Sequence, residues 1–247
     1  MRKLIALLVL LLPFLAQTAT PLSESIRKIS PSVVAIGIHN PSGSPRITLS
    51  GTGFAVADGK KIVTNYHVIA APLNTQRNES YVVLSGIGSN VQVIPVLSSK
   101  TAPAHDLAVL EIETALPAAT LAKAELLPPG TEIAFTGFPI TNVLGLYPAT
   151  HRGIISAITP IATPSDNSTQ LQAAALKRLR QPYMVYQLDA TAYPGNSGSA
   201  LYNVETAEVI GIINKVFVKS TKEAVLKDPS AITYAIPVQF LLPLLSE

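Results

Sequence analysis

The chain has 247 residues, with 18 Lys and Arg against 15 Asp and Glu, and it contains no cysteine. The lack of cysteine excludes disulfides, thiolate metal sites and a cysteine nucleophile. The excess of positive charge is small and its densest run, Lys177–Arg180, is short, so the charge gives no support for nucleic-acid binding.

The N-terminus has the layout of a secretory signal peptide. Basic residues at 2 and 3 precede an apolar run over 4–15, and small and polar residues follow over 16–20. The run is shorter than the roughly 20 residues that a membrane-spanning helix needs. We therefore predict a signal peptide over residues 1–19, with an uncleaved N-terminal anchor as the alternative.

Cleavage after Ala19, or after Thr18, removes two basic residues and no acid. The charge of the mature chain is then 16 minus 15, or +1. The lack of cysteine fits a bacterial envelope protein better than a small eukaryotic secreted domain, which usually needs disulfides. We expect an exported protein, periplasmic or secreted.

Short segments rich in β-branched residues and separated by turn signals predict a chain made mostly of strands. In the first half they are Val33–His39, Ile47–Val56, Lys61–Asn65, Tyr81–Ser85, Val91–Leu97 and Leu107–Ile112. In the second half they are Glu132–Gly137, Arg152–Ile158, Met184–Leu188, Ala200–Asn203, Val209–Val218 and Ile232–Ile236. Many short strands at this spacing predict an all-β barrel or sandwich.

The proline-containing segment Glu113–Gly130 predicts a linker between two barrels, at about 32–112 and about 131–236. Helix is scarce. A short amphipathic helix is predicted over Ser23–Ile29, ended by Pro31. Thr169–Arg180 predicts a helical insertion in a long loop. A C-terminal helix that starts at Pro237 would be disrupted early by Pro243.

A serine stands among turn-forming residues in Pro194–Ser199. Glycine allows backbone angles that other residues avoid, so this turn can direct the amides of Gly195 and Ser197 at one point. Two such amides would bind the oxyanion of a tetrahedral intermediate. The alternative is an ordinary Gly/Asn/Ser turn of a β protein.

A histidine and an aspartate stand at strand ends. His67 follows the predicted strand Lys61–Asn65, and a serine hydroxyl needs such a base to become nucleophilic. Asp106 precedes a buried strand, where a carboxylate is costly unless it is hydrogen-bonded. Bonded to His67, it would fix the tautomer of the imidazole. The alternatives are a structural histidine and an aspartate that accepts backbone amides. A metal site with His105 is rejected, since neighbours on a strand point to opposite faces.

The order His, Asp, Ser is that of chymotrypsin-like enzymes. Through ISPSVVAI, SGTGFAV, TNYHVI, HDLAVLEI, GNSGSAL, EVIGI and ITYAIP, the chain resembles trypsin-like serine peptidases of the HtrA/DegP type from about Ile29 to Pro237. GNSGS and EVIGI also resemble glutamyl endopeptidases. The resemblance implies two perpendicular six-stranded β-barrels with a catalytic triad in the cleft between them.

The resemblance also implies the residue roles. His67 is the general base, Asp106 orients it, and Ser197 is the nucleophile, while Gly195 and Ser197 supply the oxyanion amides. The chemistry implied is peptide-bond hydrolysis through an acyl-enzyme, on polypeptide substrates of the exported compartment, with neither cofactor nor metal.

Four departures from the family pattern affect what can be carried over. HtrA proteins have PDZ domains after the protease, and we expect none here. HtrA trimers pack through aromatic residues near the N-terminus, whereas the first aromatic after the predicted signal is Phe54, so the trimer is in doubt. Asn196 replaces the aspartate that digestive trypsins use to capture a new N-terminus. The loop Thr163–Gln181 is longer than expected.

The substrate pocket is expected between two segments, with walls formed by Thr191, Ala192, Tyr193, Ile213, Asn214 and Lys215. No aspartate stands at Thr191, which disfavours basic side chains before the cleaved bond. Glutamyl endopeptidases have a histidine about where Ile213 stands, although Lys215 could still attract an acidic side chain. We expect small or medium aliphatic residues there. The alternative functions are a catalytically silent binding or chaperone-like scaffold and an esterase.

Overall fold

Short strands dominate the computed structural model, which describes residues 21–140, 145–161, 182–216 and 232–246. The first six strands are β1 (Val33–His39), β2 (Ile47–Val56), β3 (Lys61–Asn65), β4 (Ser80–Ile87), β5 (Asn90–Ala102) and β6 (Leu107–Ile112). The next six are β7 (Glu132–Gly137), β8 (Ala149–Pro160), β9 (Met184–Asp189), β10 (Ala200–Asn203), β11 (Val209–Val216) and β12 (Ile232–Pro237).

The strands close into two antiparallel barrels of six strands each. Their orders are β1-β2-β3-β6-β5-β4 and β10-β11-β12-β9-β8-β7. The predicted all-β class with two six-stranded antiparallel barrels is confirmed. The predicted signal peptide, the helix Thr169–Arg180, the loop Thr163–Gln181 and the last two residues of the strand Val209–Val218 lie outside the described residues.

Short helices lie at both ends of the described chain. Helix α1 spans Pro21–Ile29 and continues into a 3-10 turn that contains Pro31. At the other end Pro237 ends β12 and is the N-cap of a C-terminal 3-10 turn over Val238–Phe240, and helix α2 spans Leu242–Ser246. The expected disruption by Pro243 is wrong, because this proline lies in the first turn of α2, where its missing N–H has no partner to lose. None of the described helices is both long and apolar enough to cross a bilayer.

Alternate residues of the strands pack into different clusters. In β6, Ala108 and Leu110 belong to a cluster made of the first barrel alone, while Leu107 and Val109 belong to a cluster shared with the second barrel. A third cluster belongs to the second barrel. The shared cluster includes the buried residues Val33, Phe54, Ala134, Phe138, Tyr202, Val209, Ile236 and Leu241. Because these strands are buried on both faces, their sequences are nearly continuous runs of apolar residues.

The segment between β6 and β7 is bonded to both barrels. The amide of Ala119 donates to the carbonyl of Ala55 in β2 at 2.8 Å. The amide of Val209 in β11 donates to the carbonyl of Thr120 at 2.8 Å. The two bonds fix this connection to both barrels.

Candidate functional site

Strand pairing brings His67 and Asp106 together. β3 and β6 are antiparallel neighbours, with Asn65 opposite Leu107. His67 lies in the 3-10 turn that follows β3, and Asp106 immediately precedes β6. The end of one strand therefore meets the start of the other, and residues separated by 39 positions become neighbours.

Two hydrogen bonds join the aspartate to the histidine. Oδ2 of Asp106 lies 2.8 Å from Nδ1 of His67, and Oδ1 accepts the backbone amide of His67 at 3.0 Å. The carboxylate is buried, whereas the imidazole is 29% exposed. Because an ionised carboxylate only accepts, Nδ1 is the donor in this contact, and in a neutral imidazole Nε2 is then the nitrogen that can accept a proton.

The backbone of Asp106 is held in a left-handed conformation. Its φ is 55°, a region that aspartate enters more readily than most residues. Its carbonyl accepts the amide of Tyr66 at 3.0 Å and Nδ2 of Asn65 at 3.1 Å. Both donors come from the strand end before His67, so the same contacts that fix the acid also fix the base.

Two consecutive turns carry Ser197. The amide of Asn196 donates to the carbonyl of Tyr193 at 3.0 Å, with Gly195 at a φ of 100° in the third position. The amide of Ser199 then donates to the carbonyl of Asn196 at 3.0 Å, with Gly198 at a φ of 88°. A positive φ at the third position is typical of a type II turn and favours glycine.

Thr52 of β2 fastens these turns to the first barrel. Its amide donates to the carbonyl of Ser197 at 2.9 Å, and its hydroxyl donates to the carbonyl of Gly195 at 2.7 Å. The same hydroxyl accepts the amide of Phe138 at 3.0 Å. Thr52 is fully buried, so its three bonds are shielded from water.

Close packing leaves no room at Gly198 for a side chain. A methyl group there would collide with the carbonyl of Thr52 and the hydroxyl of Thr64. Thr64 lies in β3, three residues before His67. The turn with Ser197 is thus pressed against the strand that leads to the histidine. The hydroxyl of Ser197 makes no hydrogen bond to any described residue.

Two amides of the turn have no protein acceptor within the described chain. They belong to Gly195 and Ser197, whereas the amides of Asn196, Gly198 and Ser199 are all bonded to carbonyls. These two unbonded amides are the ones that were predicted from the sequence to form an oxyanion hole.

The expected pocket residues lie beside the turn. Ala192 and Ile213 are buried in the cluster of the second barrel, and Asn214 is nearly buried. Thr191 and Tyr193 are half-buried, and Lys215 lies in β11 with its side chain outside the described part. The amide of Ala192 donates to the hydroxyl of Thr233 at 3.1 Å, which ties the segment to β12.

The side chain of His105 packs against two aromatic rings. Its ring stacks on Phe240 with centroids 4.7 Å apart and meets Tyr183 at 4.9 Å. The C-terminal turn therefore supports the loop that ends in Asp106. Nowhere in the described ranges do three or more His, Cys, Asp or Glu residues gather as metal ligands would.

Two residues of this region were not predicted from the sequence to belong to the site. Thr52 lies between two glycines in SGTGF. A polar residue inside an otherwise apolar strand was the signal that could have identified it. His151 of β8 was one of four histidines and had no motif around it. Its Nε2 lies 3.4 Å from Nδ2 of Asn196, next to Ser197. Burial lowers the pKa of His151.

Residues 51–212 match the family model described as a trypsin-like peptidase domain. The chain belongs to the trypsin-like peptidase family. The chain is similar to serine protease HTRA1A of Danio rerio, with 30% identity over 232 residues that cover 92% of this chain and 41% of the relative. A probable periplasmic DegP-like serine endoprotease of Marinomonas sp. is 29% identical over 171 residues, 69% of this chain and 30% of the relative.

A solved structure agrees with these relatives. The serine endoprotease from Yersinia pestis has a TM-score of 0.63 and 26% identity, and the match covers 93% of this chain and 67% of that one. The resemblance to trypsin-like serine peptidases of the HtrA/DegP type is confirmed. The chain spans less than half the length of these curated relatives.

Proposed function

We propose that the protein is a serine endopeptidase that cleaves exported polypeptides, with His67, Asp106 and Ser197 as its catalytic triad. The observation that carries the proposal is the His67–Asp106 pair, with Nδ1 and Oδ2 2.8 Å apart, together with the turn around Ser197 that Thr52 bonds to the same barrel. Family membership and the similarity to serine proteases support it.

The proposed reaction has two halves. Nε2 of His67 takes the proton of the Ser197 hydroxyl while Oγ attacks the peptide carbonyl, and Asp106 stabilises the imidazolium. The amides of Gly195 and Ser197 stabilise the oxyanion. Collapse breaks the C–N bond, and His67 returns the proton to the leaving amine. Water then hydrolyses the acyl-enzyme by the same proton transfers.

The pocket and the setting of the reaction are part of the proposal. Ala192 and Ile213 belong to one apolar cluster, which favours small or medium aliphatic side chains before the cleaved bond. Thr191, Tyr193, Asn214 and Lys215 complete the proposed walls. The basic and apolar N-terminus, together with similarity to a probable periplasmic endoprotease, supports export.

A fluorophosphonate probe tests the nucleophile directly. In the wild-type chain we expect Oγ of Ser197 to displace fluoride and form a P–O bond, which mass spectrometry maps to that residue. Ser197→Ala should abolish labelling and lower hydrolysis of casein and of aliphatic peptides by about 10⁶-fold. The matched control is Ser42→Ala, a change at an exposed serine between β1 and β2.

The outcomes separate the possible functions. Labelling and cleavage in Ser42→Ala but not in Ser197→Ala support the endopeptidase. Unchanged proteolysis by Ser197→Ala, or a label on another serine, overturns the assignment. A folded wild-type chain that neither reacts nor cleaves would instead act as a binding scaffold.

A further inference from the structure

His151 lies against the turn that carries Ser197. The ring projects from β8 and stacks on Phe135 of β7, with centroids 4.8 Å apart and planes 20° apart. It also lies 5.7 Å from the ring of Tyr193. Its Nε2 faces Nδ2 of Asn196 at 3.4 Å. Two aromatic contacts thus fix the ring so that one nitrogen is directed at the residue before Ser197.

Asn196 links the two turns of the site. Its amide closes the first turn onto Tyr193, and its carbonyl closes the second by accepting the amide of Ser199. The unbonded amides of Gly195 and Ser197 flank it on both sides. A change in the φ or ψ of Asn196 would therefore turn the Ser197 amide relative to the Gly195 amide, and the two candidate oxyanion donors would no longer point at one place.

The side chain of Asn196 is fully buried, and His151 is its described hydrogen-bond partner. Its Oδ1 is directed at the opposite side, where it would lie 3.1 Å from a methyl group placed on Gly137. A side-chain amide nitrogen is a donor only. The imidazole can accept from it only while Nε2 carries no proton.

We propose that His151 is a positioning residue that, as a neutral imidazole, holds Asn196 and thereby directs the Gly195 and Ser197 amides toward the oxyanion. The proposal rests on the proposed endopeptidase function. A protonated ring would present an N–H to the N–H of Asn196, and the turn would lose its support.

The surroundings of the ring favour the neutral form. Burial among Phe135 and Tyr193 lowers the pKa of His151. Among the described residues whose rings contact it, Phe135 is apolar and Tyr193 brings a phenol. Arg152 points to the opposite face of β8, where it pairs with Glu132 of β7 at 2.7 Å. No described carboxylate stabilises an imidazolium here.

Two variants test the proposal through kcat and KM on an aliphatic peptide. His151→Phe keeps the stacking but removes the acceptor, so kcat should fall about tenfold at pH 8 with KM little changed. His151→Gln supplies an acceptor that does not titrate, so it should keep most of kcat at pH 8. Melting temperatures of both variants report on folding.

The pH profile distinguishes positioning from packing. Wild-type activity should fall additionally as pH drops through the His151 pKa, whereas the glutamine variant lacks this additional fall. Effects on the proposed base His67 are common to both proteins and cancel in their ratio. The ratio of kcat/KM for His151→Gln over wild type should therefore rise by about tenfold as pH falls through that pKa, the factor expected from loss of the acceptor.

A flat ratio, or a folded His151→Phe with wild-type kcat, overturns the inference alone, provided that the wild type cleaves. A wild type that neither cleaves nor reacts with fluorophosphonate overturns the proposed function, and this inference with it.

Discussion

At the scale of single residues, the left-handed backbone of Asp106 decides where its carboxylate points. The φ of 55° directs both oxygens at His67, one at the ring and one at the amide. Asparagine adopts this backbone as readily, so a change of charge can be made without a change of shape. The residue therefore allows a clean test of the orienting role.

Asp106→Asn should keep the fold and lower kcat by about 10⁴-fold. The side-chain N–H of the asparagine would donate to Nδ1 of His67, and the imidazole would then be held in the wrong tautomer. Steady-state kinetics on a peptide measure the loss of kcat, and a melting curve checks that the variant keeps its fold. The matched control is Asp58→Asn, an exposed residue whose Oδ1 accepts the amide of Lys60 at 3.0 Å, and its kcat should equal that of wild type. A loss of less than tenfold in Asp106→Asn would contradict the role.

Local chemistry identified part of the site, and long-range contacts supplied the rest. His67, Asp106 and Ser197 stood out because turn and strand signals surround each of them. The bond from Thr52 to Gly195 spans 143 positions, and that from Asn196 to His151 spans 45. No local pattern encodes such pairs, since the first depends on how the two barrels pack and the second on how the second barrel closes.

At the scale of elements, half of the described strands start and end at the predicted residues. β1, β2, β3, β6, β7 and β10 have the predicted bounds. The prediction for β5 stopped at Leu97, whereas the strand continues to Ala102. Its register with β6 shifts between Val96 and Ser98. Such a bulge interrupts the alternation of polar and apolar residues, so the polar second part was not recognised.

The prediction for β8 was also too short, but for a different reason. The strand runs from Ala149 to Pro160, with a register shift between Ile155 and Ala157. Its first residues were missed because Thr150 and His151 are polar and half-buried. The missed end is the one that carries the ring beside Asn196.

Thr52→Val tests the bridge between β2 and the serine turn. Valine keeps the shape but leaves the carbonyl of Gly195 and the amide of Phe138 unpaired. The free energy of unfolding should fall by about 1–3 kcal/mol, and kcat should fall because the turn loses an anchor. Denaturant unfolding and peptide hydrolysis measure the two effects.

Two further variants complete that experiment. Thr52→Ser restores the hydroxyl and should recover most of both losses. Thr48→Val makes the same chemical change at an exposed position of β2 and should be neutral. If Thr52→Val is as stable and active as Thr48→Val, the bridge has no energetic role.

At the scale of the whole molecule, the shared cluster joins the barrels into one folding unit. Leu241 lies in it, fully buried, just before α2. Leu241→Ala should lower the free energy of unfolding by about 2–5 kcal/mol. The matched change Leu97→Ala, at a side chain that is 65% exposed, should stay within about 0.5 kcal/mol of wild type.

Denaturant unfolding followed by both circular dichroism and tyrosine fluorescence measures these differences. Because buried residues of both barrels contact each other, the two signals should change in a single transition in every variant. Separate transitions, or equal effects of the two leucine changes, would show that the barrels unfold independently.

The division of the reacting groups between the barrels also bears on synthesis. Base and acid come from the first barrel, and the serine comes from the second. During translation, a chain whose second barrel has not emerged holds an imidazole with no alcohol to activate. Under the proposed function, such a chain cannot digest itself or its neighbours, and its latency requires neither an inhibitor nor a removable propeptide.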